Sequence, residues 1–300
     1  MKSAWHVLVA GTMVIMFLFW PASLSASAVQ LHVFVSIPPQ KYFVQQIGKD
    51  RTHIDVMVPP GASPATYEPK PRQMTALARA TIFFSIGVPF EQVWMARIAA
   101  ANPMLTVVPT DQGIQKRPMD SHHGEDARSG PGDDEHPAGM LDPHIWTSPP
   151  LVMKQVHTML VALQKADPEN SRYYAANYHH FMDELIMLDA ELKALFADKK
   201  GTAFLTLHPS WGYFAHTYGL QQVSIEIEGK APKPAQLKAM IAQARERHIQ
   251  VIFVQPQFSA KSADLIAKAI GGRVIPADPL AADWASNLRN HAQQLNAALR

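Results

Sequence analysis

The chain has 300 residues, of which 27 are basic and 25 acidic, with 14 histidines and no cysteine. The near balance of charge and the lack of a basic stripe exclude nucleic acid as an expected partner. The missing thiols exclude disulfides, a lipid-carrying cysteine and any thiolate metal site, while the length is enough for two compact cores.

In chain order, the first element reads as a leader. Lys2 is followed by an apolar run over residues 7–20, broken only by Gly11 and Thr12, and then by Pro21 and the small residues Ala26-Ser27-Ala28. This is the layout of a secretory signal peptide, so residues 1–28 are expected to be cleaved after Ala28. The run is short of the ~20 apolar residues that span a bilayer. The mature chain is therefore expected free in the periplasm, as a monomer and without a lipid anchor.

From residue 29 the pattern alternates. Strands are expected at 31–37, 53–58, 81–86 and 105–109, and helices at 40–47, 72–79 and 90–100. Such alternation predicts a parallel sheet flanked by helices. Residues from about 115 to 140 are rich in Gly, Pro, Asp and His, lack apolar periodicity and read as a flexible loop. Asp167-Pro168 then opens a long helix expected to reach residue 199, with Tyr174, Tyr178, Phe181, Leu185, Leu188, Leu192 and Leu195 on one stripe. It would run roughly 45–50 Å, and reads either as a spine between two lobes or as an ordinary surface helix.

After Gly201 the alternation resumes, with strands at 203–207, 222–227, 251–254 and 274–276. Helices are expected at 236–247, from a Ser259 cap to Gly271-Gly272, and from Asp283 to the end. The organisation expected is thus a first α/β lobe at 29–166, a linking helix at 167–199 and a second α/β lobe at 200–300.

Three metal-compatible side chains sit where strands give way to loops, the usual binding edge of open α/β sheets. His144 follows Asp142-Pro143, His208 precedes Pro209, and Asp278 precedes Pro279. Two imidazoles and one carboxylate suit Zn2+, and also Mn2+ or Fe2+. Taken singly, each also reads as a hydrogen-bonded structural residue. The 115–140 segment adds His122, His123 and His136 among Asp120, Glu125, Asp133, Asp134 and Glu135, as an auxiliary metal-binding tract or a solvated acidic linker. His291 lies on an apolar stripe and reads as a core histidine, His179 and His180 read as exposed, and His32 and His53 read as hydrogen-bonding residues flanking strands. Trp146, Trp211 and Phe214 are expected to pack around the site.

Four segments together resemble the zinc- and manganese-binding solute-binding proteins of ABC importers, the ZnuA-like group. They are Pro59-Pro60-Gly61-Ala62-Ser63-Pro64 with Tyr67-Glu68-Pro69, Asp142-Pro143-His144-Ile145-Trp146, His208-Pro209-Ser210-Trp211-Gly212-Tyr213-Phe214, and Gln255-Pro256-Gln257-Phe258-Ser259. Their order and spacing resemble the family from about residue 33 to 299. The resemblance implies two lobes joined by one rigid helix, with metal in the cleft between them. It also implies ligand roles for His144, His208 and Asp278, zinc as transported cargo, no catalytic activity, and an inner-membrane ABC permease as partner. Other readings are the same scaffold carrying Mn2+, Fe2+ or a non-metal ligand, and a periplasmic metallohydrolase. The chain departs from the pattern at Ala65, where the family usually has a histidine, and at Gln255, where it often has Glu. Water, a histidine from the 115–140 segment, Gln40 or Glu68 are the candidates to complete the sphere.

Overall fold

The computed structural model describes residues 30–119, 141–226 and 233–299. The expected leader at 1–28 and the segment bearing His122, His123 and His136 lie outside the described residues.

The first half builds one parallel sheet from β1 (Leu31–Val35), β2 (Thr52–Val56), β3 (Ile82–Ser85) and β4 (Thr106–Pro109), in the order β2-β1-β3-β4. Of its two inner strands, β3 reads IFFS and is buried throughout, as expected of a parallel strand covered on both faces. The intervening helices are α1 (Pro38–Gly48), α2 (Pro71–Leu77) and α3 (Pro89–Ala101). Each opens on a proline in its first turn, where a missing N–H costs nothing and the fixed φ favours the helix.

Residues 149–166, for which no element is expected from the sequence, form α4 (Pro149–Ala166), again started by proline. Its buried face carries Val152, Val156, Met159, Leu160 and Leu163. The long helix follows as a short 3-10 turn at Pro168–Asn170 and then α5 (Ser171–Leu195). At 25 residues it is roughly 37 Å long, shorter than expected because it starts after the turn and stops four residues before Lys199. Tyr174, Phe181, Leu185, Leu188 and Leu192 of the expected stripe are buried, and α5 packs against α1 and α4.

The second sheet repeats the topology of the first. It contains β5 (Ala203–Thr206), β6 (Gln221–Ser224), β7 (Val251–Val254) and β8 (Arg273–Pro276), in the order β6-β5-β7-β8 and all parallel. Its helices are α6 (Gly212–Tyr218), α7 (Pro234–Glu246), α8 (Lys261–Ile270) and α9 (Trp284–Ala298). The cap of α8 is Ala260 rather than Ser259. Gly271 ends it in the left-handed region at φ 68°, where any side chain is strained.

The two sheets are not separate bodies. The C-terminal helix α9 packs on α5, and its Trp284 meets Phe43 of α1 edge-on at 5.0 Å between ring centroids. One apolar cluster runs from Val33 and Phe34 through Leu185 and Trp211 to Leu295. Polar links cross the same junction. Trp146 Nε1 donates to the Pro279 carbonyl (2.7 Å) and Trp284 Nε1 to the Trp146 carbonyl (2.8 Å). Trp284→Phe keeps the ring packing but strips the donor, and urea unfolding should show a loss of about 1–2 kcal/mol.

Candidate metal centre

In open parallel sheets the carboxyl ends of the strands, at the point where strand order reverses, form the binding edge. In the second sheet the residues just past those ends, taken in sheet order, are Glu226 after β6, His208 after β5, Gln255 after β7 and Asp278 after β8. The fold therefore gathers four chain-distant polar side chains into one row.

His208 is fixed from several sides. Its Nδ1 lies 3.0 Å from Glu226 Oε2. Gln255, fully buried, accepts from the His208 N–H (3.2 Å) and donates to its carbonyl (2.7 Å) and to Ser210 Oγ (2.7 Å). Phe258 stacks on the imidazole at 4.9 Å. Gln255 thus acts as a backbone clamp on His208. Burial lowers the His208 pKa below the ordinary imidazole range, the Glu226 hydrogen bond opposes that shift, and the nearby His144 ring reinforces it. The ring is accordingly neutral at neutral pH, the state a metal requires.

His144 comes from the segment before α4 and faces His208 from across the junction. Its Nδ1 lies 2.7 Å from Asp142 Oδ1, which also accepts the His144 N–H at 2.9 Å. Tyr213 locks this turn in place, its hydroxyl accepting from the Arg117 N–H and donating to the Asp142 carbonyl, both at 2.9 Å. Trp146 covers the ring at 5.1 Å. The His144 and His208 rings sit 5.3 Å apart, edge to face. Each carboxylate engages Nδ1, which leaves each Nε2 lone pair for a cation. This carboxylate–imidazole pairing fixes ligand orientation and basicity at zinc sites.

The structure brings together two of the three candidates more tightly than the third. Asp278 accepts from Gln257 Nε2 (2.9 Å) and the Leu280 N–H (3.0 Å), both on Oδ1. Among the described residues, the trio whose ligand atoms all fall within 4.8 Å of one another is not His144, His208 and Asp278 but His32, His53 and Asp55. His32 and His53 thus lie inside β1 and β2 rather than flanking strands.

Other expectations resolve as follows. Gln40 is fully buried and committed, accepting from the Ser36 N–H (3.0 Å) and donating to the Ser85 carbonyl (3.3 Å) and Thr110 Oγ1 (3.0 Å), so it is not a spare ligand. Ala65 and Glu68 are exposed. Trp146, Trp211 and Phe214 are buried, but Trp211 stacks on His291 (3.8 Å) rather than on a candidate ligand. His179 and His180 are exposed and His291 is in the core, as expected. Sequence reasoning misses Glu226 and Phe258 as supports of His208. Glu226 has no local signal beyond lying past a strand, because its role depends on β5–β6 pairing.

Comparison with known proteins gives one family. A family model described as zinc-uptake complex component A, periplasmic (ZnuA), matches residues 33–298. The high-affinity zinc uptake system protein ZnuA of Bacillus subtilis (strain 168) is 29% identical over 248 residues, covering 81% of this chain and 76% of that protein. A crystal structure of ZnuA superimposes with a TM-score of 0.82 at 40% identity, covering 90% of this chain and 100% of the other. A 138–173 deletion mutant of ZnuA with zinc bound superimposes with a TM-score of 0.81 at 40% identity, covering 90% of this chain and 98% of the other.

Proposed function

This chain belongs to the ZnuA family of periplasmic zinc-uptake components, and we propose that it captures Zn2+ between its two sheets and delivers it to an ABC permease. The observation that carries the reading is the facing pair His144 and His208, each backed at Nδ1 by a carboxylate and 5.3 Å apart. Two imidazoles favour zinc over the harder manganese ion. Asp278, past the end of β8 two strands along the same sheet edge, supplies the carboxylate ligand. Zinc is cargo here, so the site must release it as well as hold it.

The reading extends to the rest of the chain. Residues 1–28 act as a cleaved leader, the protein works as a periplasmic monomer, and the 115–140 segment with His122, His123 and His136 is an auxiliary zinc tract. We read the protein as a carrier, not a hydrolase. Its two carboxylates nearest the imidazoles, Asp142 and Glu226, are engaged by ring nitrogens and are not poised as general bases. The test is metal analysis of protein purified without chelator. Zinc at one equivalent or more supports the reading, and manganese or iron without zinc contradicts it.

Two smaller effects follow. Glu226→Gln removes the charge behind His208 and is expected to weaken zinc binding by about 10-fold, within the range for such supporting groups; competition against a fluorescent zinc chelator reads it directly. Ala65→His restores the imidazole usual in the family and is expected to tighten binding by roughly 10-fold in the same assay, a gain on the scale by which zinc-site neighbours act.

A further inference from the structure

A second histidine–carboxylate cluster lies away from the cleft. In the parallel register of β1 and β2, His32 stands directly beside His53, and Asp55 lies two residues further along β2 on the same face. The two rings pack edge to face at 5.0 Å. Both Nε2 atoms converge on one oxygen, Asp55 Oδ2, at 2.9 Å from His32 and 3.7 Å from His53. All three ligand atoms lie within 4.8 Å of one another.

We propose that His32, His53 and Asp55 form a second Zn2+ site on the outer edge of the first sheet. Bonds of about 2.0–2.1 Å in tetrahedral geometry place ligand atoms about 3.3 Å apart. The two separations from Asp55 Oδ2, 2.9 and 3.7 Å, fall on either side of that value. A cation at the centre of the trio replaces the proton shared between His32 and Asp55. Two imidazoles exclude Mg2+ and Ca2+ as fitting occupants, since both demand oxygen ligands. Three protein ligands leave the fourth tetrahedral position to water.

The site is open to solvent on one side. The His53 side chain is 59% exposed, against 20% for His32 and 38% for Asp55. It lies toward the amino end of the strands, roughly 13 Å from Ser36 at the other end of β1 along the chain. It is therefore separate from the centre at His144 and His208. Because β2 is the sheet edge, a bound ion also cross-links that edge to its neighbour.

The experiment is calorimetric Zn2+ titration of the full chain carrying His144→Ala and His208→Ala with His122, His123 and His136 changed to alanine, which removes the other candidate imidazoles. One remaining micromolar binding event is expected. Adding His53→Ala, an exposed change that leaves the fold intact, should weaken it at least 30-fold, and Asp55→Asn should weaken it likewise. His53→Ala alone in the otherwise unchanged chain should remove one zinc while leaving the tighter event at its original affinity. Absence of binding below 100 µM in the background chain, or binding that survives both His53→Ala and Asp55→Asn, overturns the proposal. Survival of the tight event in the background chain counts against the cleft reading instead, and leaves this one to be judged by His53→Ala and Asp55→Asn.

Discussion

His208→Ala is expected to lower zinc affinity by more than about 100-fold, since even outer groups of a zinc site contribute 10–100-fold and His208 is a direct ligand in this account. The change deletes the imidazole that Glu226, Gln255 and Phe258 jointly hold. Gln255 does not replace it, because its amide is already spent on the His208 backbone and on Ser210. The effect should appear as affinity and not as unfolding, because the backbone clamp does not use the His208 ring. Equal urea midpoints for zinc-free His208→Ala and the parent chain, alongside the lost affinity in chelator competition, check both halves.

The second large effect is on stability. His291 is wholly enclosed by Trp211, Phe214 and Phe253, and neither ring nitrogen has a hydrogen-bond partner among the described residues. Burial pushes its pKa down to about 3. The folded chain therefore keeps this ring neutral, while the unfolded chain binds a proton below about pH 6.5. Above that pH the two states carry the same ring charge and nothing is lost. As pH falls from 6.5 towards 3 the unfolded state gains the proton alone, and stability drops by about 1.4 kcal/mol per pH unit. Between pH 6.5 and 4.5 the loss is on the order of 2–3 kcal/mol. His291→Leu should remove that slope and also stabilise the chain at pH 7 by about 1 kcal/mol, because it deletes buried polar atoms that lack partners. Urea unfolding of zinc-free protein at several pH values, mutant against parent, isolates this residue from every other titrating group.

The legible parts of the fold were the local ones. The apolar run Val251–Val254 marks β7 to the residue, and Gly271 marks the end of α8. The Ser148-Pro149-Pro150 start hid α4, because paired prolines read as a loop unless they fall in a first turn. Strand order was not legible, because pairing β5 with both β6 and β7 brings together residues about 15 to 50 positions apart and local periodicity carries no such information. The candidate site divides the same way. His208 and Asp278 could be picked out by position at strand ends, whereas His144, expected at such an end, follows no strand and caps the 3-10 turn before α4. Their supports could not, since Glu226 reaches His208 only through the β5–β6 register and Tyr213 reaches Asp142 only across the junction. The cluster in β1 and β2 was missed for the same reason: His32 and His53 look isolated until the parallel register sets them side by side.

The most direct test of the central claim is anomalous diffraction at the zinc edge from zinc-loaded crystals. The strongest peak is expected within bonding distance, about 2.0–2.2 Å, of His144 Nε2, His208 Nε2 and a carboxylate oxygen of Asp278. A strongest peak that touches neither histidine, or that touches both without Asp278 moving into the sphere, would contradict it.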